Sequence, residues 1–191
     1  MQTHDTVAES SRIRPLRRTE YERLVELGAF ENEKIELMHG EIVYMSPQGY
    51  EHYYAVGQLN NLLAPALHRR ALVLMQAPIA AGPTSEPEPD ISVLPLDAMD
   101  EGIANRAHLI IEVAHSSLHI DRTEKLPLYA SAGFPEVWLV DVNARALFVH
   151  RQPAGDAWAE VFRVVEGGTV SMLAFPDVTI EVAQLFPPRK K

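Results

Sequence analysis

Apolar residues recur first at helical spacing, then in short blocks, then in alternation, and the expected elements follow these changes of period. Thr19 with Glu22 makes a capping box and Gly28 a stop. A first helix is therefore expected between them, with Leu24, Val25 and Leu27 on its inner face. Residues 34–45 read as a hairpin turned at Gly40, and Pro47 and Gly49 break the chain after it. From Tyr50 to Arg69 the residues Val56, Leu59, Leu62, Leu63, Ala66 and Leu67 share one helical face, and Pro65 should bend or break that helix. Strand-like blocks follow at 71–75, 91–94 and 109–113, separated by a Pro-, Gly- and Glu-rich loop and then by an acidic loop expected to be exposed. A helix carrying Lys125, Tyr129 and Ala132 ends near Gly133, and Pro127 must sit in its first turn or bend it.

The remainder reads as strands. Segments 136–141 and 146–151 form a hairpin, and the first, apolar on both faces at 137–140, should be central in its sheet. A second hairpin is expected from 158–165 and 169–173 around Gly167-Gly168. Residues 1–14 are polar and aperiodic, a mobile arm, and 187–191 form a basic tail. No internal repeat or second domain is evident, so 15–186 is expected to be one α/β (α+β) domain with an antiparallel closing section.

Composition narrows the chemistry. A chain of 191 residues, 47% hydrophobic and 23% charged, can bury a full core. It has no cysteine, which removes disulfides, thiol catalysis, iron–sulfur clusters and cysteine zinc sites, and fits a reducing cytoplasm. No apolar run approaches the roughly 20 residues needed to span a bilayer. The formal net charge of −9 argues against a nonspecific nucleic-acid coat. An enzyme that meets phosphates through metal ions and a local basic patch remains open.

The informative stretch runs from Pro89 to Tyr129. Asp90 follows Pro89 at the start of a strand, where it is either a turn aspartate or a functional acid. Glu112 interrupts the apolar run Leu109-Ile110-Ile111 and Val113-Ala114, where a carboxylate needs a salt-bridge partner or a metal. Lys125 lies four residues after Asp121, an ordinary helical pair unless both face the same site. Glu36, in an apolar setting, is a candidate third carboxylate, with Glu41 as its competitor. Two carboxylates and a lysine at one point suit magnesium-assisted phosphodiester hydrolysis. His115 and His119 have the spacing of helical zinc ligands, but Ser116 stands where the protease motif needs glutamate. Neither a Gly-x-Ser-x-Gly elbow nor a phosphate-cradling glycine loop is present.

These residues resemble the Uma-two family, a restriction-endonuclease-like branch of the PD-(D/E)xK nuclease fold. The likeness is carried by Ile35-Glu36-Leu37 with Gly40-Glu41, His52, Glu88-Pro89-Asp90-Ile91, Ile111-Glu112-Val113, Ser117-Leu118, Asp121-Arg122, Lys125 to Ala130 and Gly133 to Asp141. It spans about residues 16 to 186. The resemblance implies a central mixed β-sheet flanked by helices, with Asp90 and Glu112 as metal acids on adjacent strands. Val113 would offer its carbonyl to the metal and Glu36 would support the cluster. The strict signature puts lysine two residues after the second acid, where Ala114 stands here, so Lys125 would take that role from the next helix. Asp121, Tyr129, His52 and Ser117 would be supporting residues. The implied protein is a magnesium-dependent endonuclease, with manganese as a substitute metal. It would act on nucleic acid, DNA first, in the cytoplasm, as a homodimer. The alternative is a binding or regulatory module that keeps the nuclease fold without turnover.

Overall fold

The chain is described by a computed structural model over residues 14–189. Residues 1–13 of the expected arm, with Lys190 and Lys191 of the tail, lie outside the described residues. In chain order the elements are α1 (Arg18–Glu26), β1 (Ile35–Met38), β2 (Glu41–Tyr44), α2 (Tyr50–Ala66), β3 (Leu72–Met75), β4 (Ile91–Leu94) and β5 (Leu109–Ala114). Next come α3 (Leu118–Ile120), a π-helical turn (Asp121–Lys125) and α4 (Leu126–Ser131). The chain closes with β6 (Glu136–Asp141), β7 (Ala146–Ala154), β8 (Ala157–Val165), β9 (Thr169–Ser171), β10 (Thr179–Glu181) and a 3-10 turn (Val182–Leu185).

Six strands form one mixed sheet in the order β3-β4-β5-β6-β7-β8. Every neighbouring pair is antiparallel except β5 and β6, which run parallel. A parallel pair needs a crossover, and the α3–π–α4 segment supplies it. β4, β5 and β6 are buried along their whole length, as apolar runs require. Alternate residues serve two cores. Ile111, Val113, Trp138 and Val140 pack with Leu59 and Leu63 of α2. Ile110, Val137 and Leu139 pack on the other face with Leu126 and Tyr129 of α4. Glu112, between Ile111 and Val113, therefore turns toward the α4 side of the sheet.

Several local expectations are corrected. The buried residue of α1 is Tyr21, whereas Val25 and Leu27 are exposed. Its N-terminal carboxylate is Glu20, which accepts the Arg17 N–H at 2.9 Å, in place of the Thr19–Glu22 box. Gly28 closes the helix as expected: at φ +76° it lets its own N–H reach the Val25 carbonyl and that of Ala29 reach Leu24, a Schellman arrangement. Residues 78–89 include a buried stretch, because Glu86 exchanges backbone hydrogen bonds with Leu37 and lengthens the β1–β2 layer. The expected hairpin of 158–165 with 169–173 does not form. β8 pairs instead with β7 through the turn at Gly155-Asp156, and β9 pairs with β10 in a separate two-stranded sheet. Pro65 falls in the last turn of α2, where it cannot donate to the Asn61 carbonyl, and the helix ends one residue later at Ala66. Pro127 follows the π-turn, whose wide loop closes with the Leu126 N–H on the Asp121 carbonyl.

Candidate active site

Asp90 and Glu112 meet because β4 and β5 are paired with Ile91 opposite Ile111. One carboxylate oxygen of Asp90 accepts the Val113 N–H at 2.8 Å. The other lies 2.9 Å from His52 Nε2, which α2 brings over the strand end. Glu112 Oε1 accepts the Tyr129 hydroxyl at 2.6 Å and lies 3.2 Å from Lys125 Nζ. The same ammonium lies 3.2 Å from Glu36 Oε2, which also accepts the Glu88 N–H at 3.1 Å. Lys125 can do this because the π-turn ahead of α4 swings residues 121 and 125 onto the sheet, and both are buried. Asp121 is held by the Ser117 hydroxyl at 2.7 Å.

The structure thus brings the candidate nuclease residues from sequence to one place. Asp90, Glu112, Lys125, Glu36, Asp121, His52, Ser117 and Val113 line a cleft of about 470 Å³, and Tyr129 stands behind Glu112. Glu41 lies at the cleft on the exposed strand β2, so Glu36 is the carboxylate that joins the buried set. His115 is exposed before α3 and His119 is exposed within it, so the pair does not share a helical face. Glu88 was given no role from sequence, yet it lines the cleft and positions Glu36 through its N–H. In sequence it is marked by Pro87 and Pro89 on either side and by its place in the Glu88-Pro89-Asp90-Ile91 segment of the resemblance.

Burial dominates the electrostatics. It pushes the Glu112 carboxyl up to about 8, against the pull of Lys125 and with added repulsion from Asp121 and Asp90. Burial alone would lower the Lys125 ammonium, but Glu112 and Glu36 outweigh it and hold the group above its ordinary range. A fully protonated Glu112 could not support Lys125, so these two tendencies compete. The charged ammonium is the firmer of the two, because Glu36 supports it independently. Burial also raises Asp121, with the Ser117 hydrogen bond opposing, and raises Glu88, with help from Glu36.

Among the described residues no three His, Asp or Glu side chains stand together as a ready metal cage. The donor set nevertheless suits magnesium, which takes one or two carboxylates and keeps several waters. Asp90 and Glu112 are two such hard-oxygen donors fixed side by side on adjacent strands. Glu112 Oε2 carries none of the bonds that hold Oε1.

Comparison with known proteins bears on this site. The sequence profile of the family named Uma2, described as "Putative restriction endonuclease", matches residues 18–183. No curated protein matches the chain. A crystal structure described as a putative nuclease of the DUF820 family, from Anabaena variabilis, superposes with a TM-score of 0.61. The two are 22% identical, over 80% of this chain and 89% of that one. That likeness carries the fold: a central mixed sheet with flanking helices is common to both.

Proposed function

The chain belongs to the Uma-two family, and on that premise we propose that it is a metal-dependent endonuclease hydrolysing phosphodiester bonds of nucleic acid. The observation that carries the reading is the convergence of Asp90, Glu112 and Lys125, from two strands and a helix, in one cleft. Asp90 and Glu112, with the Val113 carbonyl, would hold magnesium or manganese. When bound, the metal supplies Lewis acidity toward phosphate and water. His52 and the Val113 N–H fix the plane of the Asp90 carboxylate, and the Tyr129 hydroxyl fixes Glu112. Lys125 offsets charge that builds on phosphate in the transition state, anchored for that task by Glu36. Asp121, held by Ser117, adds to the field that keeps Lys125 charged. The reading extends to DNA as polymer, the cytoplasm as compartment and a homodimer as the unit that cuts both strands. Among the described residues no helix is long and apolar enough to cross a membrane. Titration calorimetry with manganese tests the metal site: wild type should bind, and Asp90→Ala should not. Equal binding by both proteins would remove Asp90 from the site.

A second reading is supported by the closed state of the network. Lys125 already bridges Glu36 and Glu112, and His52 already holds Asp90, so the buried charges are paired without a metal. That suits a binding module that keeps the fold without turnover. Such a module should gain no thermal stability from magnesium or manganese, whereas a metal enzyme should gain it as the ion is added.

A further inference from the structure

The proposed substrate is a polyanion and the chain carries a formal net charge of −9, so binding needs a place where cations locally outnumber acids. One such place lies on the catalytic face of the sheet. The strand register sets Glu112 opposite Leu139, Leu139 opposite Phe148 and Phe148 opposite Arg163. Directly opposite residues point to the same side of a sheet, so Arg163 shares the face of Glu112 three strands away. At roughly 4.8 Å per strand the separation is about 14 Å.

Arg122, from the π-turn that also carries Asp121 and Lys125, reaches the same ring from the helix side. Its guanidinium lies 4.9 Å from the Phe148 ring centroid, and that of Arg163 lies 5.8 Å from it. Two like charges thus converge on one aromatic ring, no farther apart than those two distances combined. The other arginines stacked on aromatic rings have close carboxylate partners: Arg70 has Asp177, Arg145 has Glu166 and Arg151 has Glu136. Arg122 has Asp141 only at 4.0 Å, and Arg163 makes no ion pair among the described residues. Both guanidiniums keep donors free toward solvent while the ring restrains them. That leaves both cations available to the phosphates of a nucleic-acid backbone.

Resting on the nuclease reading above, we propose that Arg122 and Arg163, braced on Phe148, form a phosphate clamp that holds the nucleic-acid backbone at a distance from the scissile bond. At about 3.4 Å of rise per nucleotide along one duplex strand, 14 Å is roughly four nucleotides from the metal acids. The clamp determines where the strand leaves the cleft and does no chemistry.

The test is fluorescence anisotropy of labelled 24-base-pair and 6-base-pair DNA duplexes, measured with EDTA over a series of salt concentrations. Wild type, Arg163→Glu, Arg163→Ala and Arg163→Lys are compared, with thermal melting to establish that each is folded. Arg163 is exposed on an edge strand, so its variants should melt as wild type does. Arg163→Ala should bind the long duplex about fivefold more weakly, the scale of one exposed ion pair, and Arg163→Glu more weakly still. The slope of log affinity against log salt should shrink by about 0.9, the loss of one phosphate contact. Arg163→Lys should retain most of the binding, and the short duplex, at about 20 Å still longer than the roughly 14 Å span, should rank the variants in the same order. If wild type binds and the folded Arg163→Glu binds equally well with the same salt slope, the clamp is refuted while the nuclease reading stands. If wild type binds neither duplex, the clamp and the DNA reading fall together.

Discussion

Removing the Lys125 ammonium should leave two buried carboxylates facing each other without a cation. The side chains of Glu36 and Glu112 are only 7% and 5% exposed, and each lies 3.2 Å from Lys125 Nζ. Breaking a buried ion pair by deleting one partner costs about 3–5 kcal/mol, because a charge is stranded away from water. For a chain of this size that is a fall in melting temperature of about 6–20 °C. Lys125→Met keeps the aliphatic stem packed against α4 and removes only the charge, so the loss measures the ion pair and not a cavity. The loss should depend on pH. Glu112 already holds its proton up to about 8 through burial, and without Lys125 it should hold it higher still. The variant should therefore lose least in acid, where Glu112 is neutral, and most above about pH 8, where Glu112 is charged. The assay is differential scanning calorimetry of metal-free protein from pH 5 to 9, wild type beside Lys125→Met. Equal melting temperatures at pH 8 would show that Lys125 does not clamp the carboxylates, and the migrated-lysine argument would lose its structural basis.

Glu112→Gln should leave metal-free stability unchanged or raised at neutral pH. A carboxyl whose folded pKa lies at about 8, above the ordinary 4.5, favours folding less and less as pH rises between those values, and the amide abolishes that loss. Calorimetry against pH reads it, and a large drop at pH 7 would make Glu112 a structural ion-pair partner. Glu136→Gln should destabilise by about 3–5 kcal/mol, because Glu136 is fully buried and its carboxylate accepts from Arg151, the Trp138 indole and the Leu173 N–H. Urea unfolding measures it, and a change under about 1 kcal/mol would contradict that accounting. Gly40→Ala should cost at least about 1–2 kcal/mol from its positive φ alone, and its added methyl would run into Pro15. An unchanged melting midpoint would show that the turn relaxes freely.

The parts of the fold legible in sequence are those whose environment is set by neighbours in the chain. β4, β5 and β6 announce themselves because they are apolar on both faces, and Glu112 is conspicuous for the same reason. The hairpin at Gly40 is local, with His39 and Gly40 both at positive φ. What misleads is long-range competition. Gly167-Gly168 is the stronger-looking turn, but β7 and β8 are each nine residues long and pair along nearly their whole length across Gly155-Asp156, which leaves β9 to β10. α1 has apolar residues on several sides, and only packing against Ile35 and Leu37 selects Tyr21 as its buried one. In the site, Glu112 stands out as a polar group in apolar company and Asp90 as the acid that opens an apolar strand, whereas Lys125 is marked only by its spacing from Asp121 and by the family resemblance. The tie of Lys125 to Glu36 joins the π-turn to β1, far earlier in the chain, and leaves no local trace, and neither does the N–H that Glu88 gives to Glu36. Arg163 is unremarkable until the register sets it in a row with Glu112.

The most direct test is single-turnover cleavage of a mixed panel of single- and double-stranded DNA and RNA by purified protein. Magnesium, manganese or EDTA is supplied, with Asp90→Ala and Lys125→Ala alongside. Wild type should cut at least one polymer, only with the divalent ion. Asp90→Ala should lose both cleavage and manganese binding. Lys125→Ala should keep binding but slow the chemical step by roughly a hundredfold or more, the scale of one lost transition-state donor. A wild-type protein that binds neither ion and cuts nothing on the panel would contradict the nuclease assignment and leave the binding module in its place.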